Sequence, residues 1–322
     1  MIIINPKREL ELPFSATFGM KGFLRLQCIR PDGRVRIDTG WFPNKILDNG
    51  RNNMSTQTTW LSHCHVGTGS TPPVAGDTQL ENFVVATSTV TSNIDGTEGA
   101  APYFGWRRKT FRYAVGAGHG GQNLSEAGVG WGAAGSTLIS RALIIDPATQ
   151  LPTTVTPLAD ELLDVTYELR YYPPLIDAIN SVVMNGVTYD TTTRASLVTG
   201  DIWSDNIGTL IQKLSTGVTQ WQVYDGLLGT LEQAPNGNAA NIDDYTTVYN
   251  RAYSNNSYER KIVAPCGSGG WNLGAGIRSA KVWTTAGAYQ CQFDSNPGGS
   301  TIPKTSAFTM QLGFTISWTE YV

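Results

Sequence analysis

Charged side chains are scarce in this sequence. Asp, Glu, Lys and Arg supply 15% of 322 residues, with a net charge of −3, against about a quarter in average domains. Such a chain has no field for gathering a polyanion, which excludes a general nucleic-acid binder, and no polybasic run for an anionic membrane surface. The nearest basic cluster is WRRKTFR (Trp106 to Arg112). Arg108 and Lys109 there fall on opposite faces of a strand, and the cluster reads as a solvated edge.

Cysteine and histidine are scarce too. Cys28, Cys64, Cys266 and Cys291 are widely spaced and form no C-x-x-C, which argues against a zinc ribbon or a redox pair and predicts buried thiols. There is no apolar run of 18 residues, so no membrane-crossing helix and no membrane insertion are expected. The opening MIIINPKRELELPF has neither a basic leader nor a small-residue cleavage site, so a product made in a cytoplasm is expected.

Catalytic patterns are missing as well. His63-Cys64-His65 would place two imidazoles on one strand face, but no third and fourth ligand stand at a recognisable spacing, and a packed or hydrogen-bonded pair is expected. No G-x-S-x-G exists; GTGSTPP (Gly67 to Pro73) has the wrong spacing. Asp243-Asp244 reads as loop, and Glu161 and Asp164 as loop and strand-face residues rather than as an acid–base pair. Gly116, Gly118 and Gly121 match G-x-G-x-x-G after the strand-like TFRYAV. A dinucleotide cradle needs a helix to follow. Here Gly128, Gly130, Gly132 and Gly135 follow instead, each costing about 1 kcal/mol in a helix interior. Asp146, near the distance expected of a ribose-binding acid, ends a strand in IIDP. The segment reads as a glycine-rich loop between strands, with Asn123 to Glu126 as its packed part. No catalytic, cofactor-binding or metal residue is assigned, and a non-enzyme is expected.

What the sequence does have is alternation. Leu163, Val165, Tyr167, Leu169 and Tyr171 point one way in LDVTYELRYY, and Asp164, Thr166, Glu168 and Arg170 the other. Met310, Leu312, Phe314, Ile316 and Trp318 form a second apolar set, and FLRLQCIR (Phe23 to Arg30) a third. Period two predicts half-buried antiparallel strands. Turns are expected at Pro31-Asp32-Gly33, Asn49-Gly50, Asn185-Gly186 and Pro297-Gly298-Gly299. IRPDGRVRI (Ile29 to Ile37) reads as a hairpin. Helical patterns are few: a short helix or a loop with one turn within 77–85, a second short helix within 48–66, and 200–215, where Ile207, Leu210, Ile211 and Leu214 share a face. The fold class is all-β: two β-sandwich-like antiparallel domains with short helices in the connections.

An internal repeat is also suggested. GWGAAGSTLISRALII from Gly130 resembles GWNLGAGIRSAKVW from Gly270, aligning Ser140-Arg141-Ala142-Leu143 with Ser279-Ala280-Lys281-Val282, and Leu163 aligns with Met310. Pro173-Pro174 then marks a junction, giving an N-terminal domain over 1–176 and a C-terminal domain over 177–322. Residues 1–12, with the β-prone Ile2, Ile3 and Ile4, read as an arm that docks on another chain or on its own sheet edge. Nine tryptophans and thirteen tyrosines are many for so uncharged a chain. Trp203, Trp221, Tyr224, Tyr245 and Tyr253, beside polar or glycine residues, are candidates for surface stacking on sugars or for protein interfaces, with ordinary burial as the alternative.

Five phrases taken together resemble structural proteins of tailed bacteriophages, of the tail-fibre, tail or neck type. They are GWFPNKILDNGRNNM (Gly40 to Met54), VGTGSTPPVAGDTQLENFV (Val66 to Val84), NLSEAGVGW (Asn123 to Trp131), LISRALIIDPATQLPTTVTPLADELLDVTYELRYYPP (Leu138 to Pro174) and IPKTSAFTMQLGFTISW (Ile302 to Trp318). The resemblance is densest over 20–175 and thins over 176–265. It implies a virion component made in a host bacterial cytoplasm and built from β-domains. Its partners would be further copies of itself and other virion proteins, with a host-surface glycan as an additional ligand. The family brings no catalytic residues. A free carbohydrate-binding β-sandwich module, separated from the virion reading by its assembly state, and a glycan-degrading enzyme, separated by turnover, are the competing expectations.

Overall fold

Alternating runs broken by turn residues become strands throughout the computed structural model, which describes residues 11–56, 61–184, 187–198, 218–241, 249–250, 252–267, 269–284, 286–296, 299, 301–306 and 309–321. The architecture is all-β and antiparallel. The expected helix over 200–215, the turns at Asn185-Gly186 and Pro297-Gly298, and the arm residues 1–10 lie outside the described residues.

Contacts divide the described residues into two compact units. An N-terminal unit draws on Met20–Gly96, Gly105–Tyr171 and Glu320–Val322, and a C-terminal unit on Met1–Gly19, Thr97–Phe104 and Tyr172–Thr319. The 19-residue strand β1 (Glu11–Ile29) gives its first part to the C-terminal unit and the remainder to the N-terminal one.

In the N-terminal unit the strands are β2 (Val35–Asp38), β3 (Phe42–Pro43), β4 (Lys45–Ile46), β5 (His63–Gly67), β6 (Phe83–Thr87), β7 (Val90–Glu98), β8 (Phe104–Tyr113), β9 (Glu126–Gly130), β10 (Leu138–Leu143) and β11 (Leu162–Tyr172). One sheet runs β1-β11-β8-β7, with β2 and β3 also on β1; the other runs β4-β10-β9-β5-β6. The expected hairpin joins β1 to β2: Gly33 turns at φ +84°, a conformation that costs glycine nothing, and Asp32 Oδ1 accepts from Arg34 N at 3.0 Å. The short helix α1 (Asp48–Asn53) falls within the segment expected to hold one, whereas Asp77 to Asn82 forms turns leading into β6. Tyr113 on β8 donates its hydroxyl to the Cys64 carbonyl on β5 at 2.6 Å, across the inside of the sandwich.

In the C-terminal unit the strands are β12 (Ala178–Met184), β13 (Val187–Ala195), β14 (Val218–Tyr224), β15 (Ala239–Asn241), β16 (Tyr249–Asn250), β17 (Glu259–Cys266), β18 (Ser279–Thr284), β19 (Gly287–Asn296) and β20 (Met310–Glu320). One sheet runs β16-β17-β20-β1 and the other β12-β13-β19-β18-β14-β15. Phe314 on β20 meets Tyr289 on β19 and Trp221 on β14, with ring centroids 5.0 and 6.5 Å apart. The apolar sets of β11 and β20 are buried as their alternation predicts, from Leu163 to Tyr171 and from Met310 to Trp318. All four cysteines are buried thiols outside any disulfide.

The two units repeat one topology. The order β4-β10-β9-β5-β6 returns as β13-β19-β18-β14-β15, and β11-β8-β7 returns as β20-β17-β16, so each of these eight strands has its counterpart nine places later. Individual bonds return as well. Leu47 N to Ile139 O (2.8 Å) matches Ser196 N to Ala288 O (2.9 Å), and Ser125 N to Gly67 O (2.9 Å) matches Arg278 N to Tyr224 O (2.8 Å). The bridge Leu124–Val155 matches Ile277–Ile302. This places Leu163 against Met310, as the sequence suggests, but corrects the other half of the expected alignment. Ser279 lies on β18, the counterpart of β9, so β10 answers to β19 and Arg141 to Gln290.

Those two residues do the same work. Each lies beneath the long loop that follows β5 or β14. Arg141 donates to Glu126 Oε2 (2.8 Å), Asp77 Oδ2 (2.7 Å) and the Thr71 carbonyl (2.9 Å). Gln290 donates to the Thr230 and Gln233 carbonyls (2.9 and 2.8 Å) and accepts from Gly229 N (3.2 Å). Even the flanking serines correspond in action: Ser125 Oγ holds the Gly69 carbonyl and Ser279 Oγ the Gly226 carbonyl, both at 2.7 Å. Arg141 and Gln290 are 3% and 0% exposed, which only this full bonding makes tolerable.

Two outcomes are expected from chemical denaturation. Phe314→Ala should cost about 3–5 kcal/mol through the cavity it leaves. Arg141→Gln should cost about 3–5 kcal/mol because it strands a buried Glu126 carboxylate, whereas Gln290→Ala, which leaves only neutral groups unmatched, should cost about 1–3 kcal/mol.

Candidate interaction face

The polar residues of β11 alternate with its core set and would ordinarily face water. The structure buries them: Asp164, Thr166 and Glu168 are 6%, 8% and 2% exposed. The cause lies on the neighbouring strand. In the antiparallel register Asp164 stands opposite Arg112, Thr166 opposite Thr110 and Glu168 opposite Arg108. Arg112 clasps Asp164 through two bonds of 2.7 Å. The two threonine hydroxyls lie 3.0 Å apart, and Arg108 Nε donates to Glu168 Oε2 at 2.8 Å. Arg170 Nε takes the other Glu168 oxygen at 2.6 Å. WRRKTFR is therefore not a free solvated edge. Strand β8 lies between β11 and β7, and its outward arginines spread over the carboxylates of β11. Lys109 points the other way, as expected; its ammonium donates to the Leu61 carbonyl at 2.8 Å, and burial pulls its pKa down to about 8.

The ladder continues on either side. Arg36 on β2 grips both oxygens of Glu161 at 2.6 Å and the Thr156 carbonyl at 2.9 Å, holding the Glu161 carboxyl below its usual pKa range. Arg25 on β1 is bonded to Asp38 at the end of β2, with Gln27 Nε2 3.0 Å from the same carboxylate. The Arg25 hydrogen bond, helped by the Gly40 N–H, lowers the Asp38 pKa to about 2. Aromatic rings sit over this charge layer. The Arg108 guanidinium lies 5.0 Å from the Trp41 ring centre and 4.8 Å from that of Trp106, and Arg170 lies 4.4 Å from Phe23. Trp41 is 39% exposed, and the Arg108 side chain 35%. The result is a face of arginine N–H groups and indole rings on a base of carboxylates already committed to guanidinium partners.

The other sequence candidates are placed as follows. His65 is buried, donates Nε2–H to the Gly132 carbonyl at 2.7 Å and meets Phe83 edge-on, and burial lowers its pKa. His63 Nδ1 lies 2.9 Å from Ser62 Oγ. The pair is thus packed and hydrogen-bonded, and among the described residues no group of three or more His, Cys, Asp or Glu gathers as a metal site. After Gly121 the chain passes through turns into β9 instead of forming a helix. The glycine loop packs on the connection between β10 and β11. Gly121 N donates to the Pro157 carbonyl at 2.7 Å, and buried His119 lies 3.1 Å from the Glu161 carbonyl. A side chain at Gly120 would come within 2.9 Å of Ala159 Cα, so glycine is required there by space alone. Of the aromatic candidates, Trp221 and Tyr224 are buried, and Tyr253 stacks on Trp318 at 6.0 Å; Trp203 and Tyr245, like the acids Asp243 and Asp244, lie outside the described residues. The aromatics that do reach the charged face, Phe23, Trp41 and Trp106, carry one legible signal: Trp106 shares a strand face with Arg108.

Comparison with known proteins returns no matching family model, no matching curated protein and no matching solved structure.

Acid should probe the face through Asp38. Its folded pKa lies below the unfolded value, so its contribution to stability is complete above about pH 4 and is lost as pH falls toward about 2. Thermal unfolding across that window should show a shallower fall for Asp38→Asn than for the wild type.

Proposed function

We propose that this chain is a structural component of a tailed-phage virion, associated with the tail, neck, collar or fibre, and that it acts in assembly or host-surface attachment rather than in catalysis. The single observation that carries this reading is the interaction face. Its carboxylates are consumed by guanidinium partners, which leaves rigid donors and indoles suited to contact with another surface and no acid–base pair poised for turnover. The repeated all-β architecture and the resemblance of several phrases to phage structural proteins are in keeping with it. In this reading the protein works as a homo-oligomer joined to other virion proteins and leaves the host by lysis.

Trp41 beside Arg108 favours a second reading, a free sugar-binding module, because an exposed indole next to hydrogen-bond donors is what stacks on a pyranose.

The test is to purify particles from a lysed host that produces the protein and to probe them with an antibody against it. The chain should co-sediment with the particles at fixed stoichiometry, and Trp41→Ala should lower its incorporation several-fold while leaving its thermal unfolding unchanged. A protein found wholly outside the particle fraction, with micromolar affinity for an oligosaccharide, would replace this reading with the sugar-binding one. Release of sugar fragments by the pure protein would overturn both.

A further inference from the structure

In the C-terminal unit one strand, β12, has no counterpart among the strands of the N-terminal unit. In the N-terminal unit the sheet ends at β4, two residues long; in the C-terminal unit the equivalent strand β13 is covered by an additional one, β12. The rungs of β12 on β13 run from Ala178–Thr193 to Met184–Val187. On its other side, among the described residues, no strand follows. The N-terminal unit forms its sandwich without such a strand, so closing a sandwich does not require β12.

Its side chains are also unlike those of a finished edge. Ile179 and Val183 are 71% and 68% exposed, and Ile176, just before the strand, is 85% exposed. Natural edges are protected by charge, proline or a bulge. Ala178 to Met184 contains no charged residue and no proline, and its register on β13 is unbroken.

We propose that this edge receives the β12 of a second copy of the chain, antiparallel, about a two-fold axis through Ser181. The strand is self-complementary about that residue. Antiparallel pairing centred on Ser181 sets Ile179 against Val183 of the second copy and Val183 against its Ile179, with serine against serine between them. No like charges meet. A slip of one residue would set Ile179 against Val182 or Met184 of the copy, breaking the match. The pairing satisfies a row of backbone groups and brings the exposed Ile179 and Val183 of the two copies side by side. It deepens the assembly reading above, resting on it only for taking the occupant to be the same chain rather than a strand of another protein.

The experiment uses the full-length protein in sedimentation velocity and light scattering. The wild type should run as a dimer or a multiple of it, and Ile179→Lys and Val183→Lys should each shift it to a species of half the mass or less, down to the 34.8 kDa chain. Both positions are exposed, so circular dichroism and thermal unfolding should not change. Ser181→Cys should cross-link two copies through a disulfide under mild oxidation, since directly opposed strand residues lie within its reach, whereas Thr192→Cys, one strand inward, should not. An oligomer that survives both lysine variants and gives no Ser181→Cys cross-link overturns this proposal and leaves the assembly reading standing. A wild type that is monomeric at every concentration overturns the proposal and the homo-oligomer reading together.

Discussion

A polar group that leaves water must find partners inside the protein, and in this chain that requirement is met twice at one position. Arg141 and Gln290 occupy equivalent places on β10 and β19, and each supports a loop folded back over the outside of its sheet. Without such a residue the loop would lay unmatched backbone groups over a buried surface. With it, the sandwich gains a third, polar layer in each unit. The rest of each unit is arranged around this demand. Glu126 neutralises the guanidinium and also collects the N–H groups of Gly69 and Asn82 at 3.0 and 2.8 Å. In the other unit Gln292 takes Leu228 N at 2.8 Å, and Arg194 takes the Gly229 carbonyl at the same distance.

Much of the fold was legible because period-two alternation reports one thing well, the face that meets the core. Leu163 to Tyr171 and Met310 to Trp318 follow it without exception. The same signal says nothing about what lies over the opposite face. Asp164 and Glu168 look solvated in sequence and are buried in the structure, because their partners, Arg112 and Arg108, come from a strand some 55 residues away in the chain. The repeat was half legible for a related reason. A long strand such as β11 carries enough alternation to be matched with β20, whereas Gly-Trp followed by serine is too short to distinguish β10 from β9. Topology resolves this, since a strand's neighbours are fixed by hydrogen bonds rather than by its own residues. The candidate face was the least legible part. Trp41 and Phe23 reach it from β1 and the turns beyond β2, and no local pattern announces that convergence.

The glycine-rich loop shows how one motif serves different physics. Spaced glycines can bring a backbone close to a phosphate, but they equally bring one backbone close to another. Here Gly120 lies against Ala159, and Gly121 donates to Pro157. The loop holds the approach to β11 in place, and with it Glu161, whose carboxylate anchors Arg36 at the margin of the charged face.

The matched loop fastenings have an evolutionary consequence. A duplication of one ancestral unit would have kept the site and changed the chemistry: Arg141 with Glu126 in one unit, and Gln290 bonded to the loop backbone in the other. Neither Arg141 nor Glu126 can drift alone, because a guanidinium without its carboxylate, or the reverse, would be stranded away from water. Among descendants of the same duplication the two positions should therefore change in concert, leaving a covariation signature that outlasts any similarity in the surrounding loops.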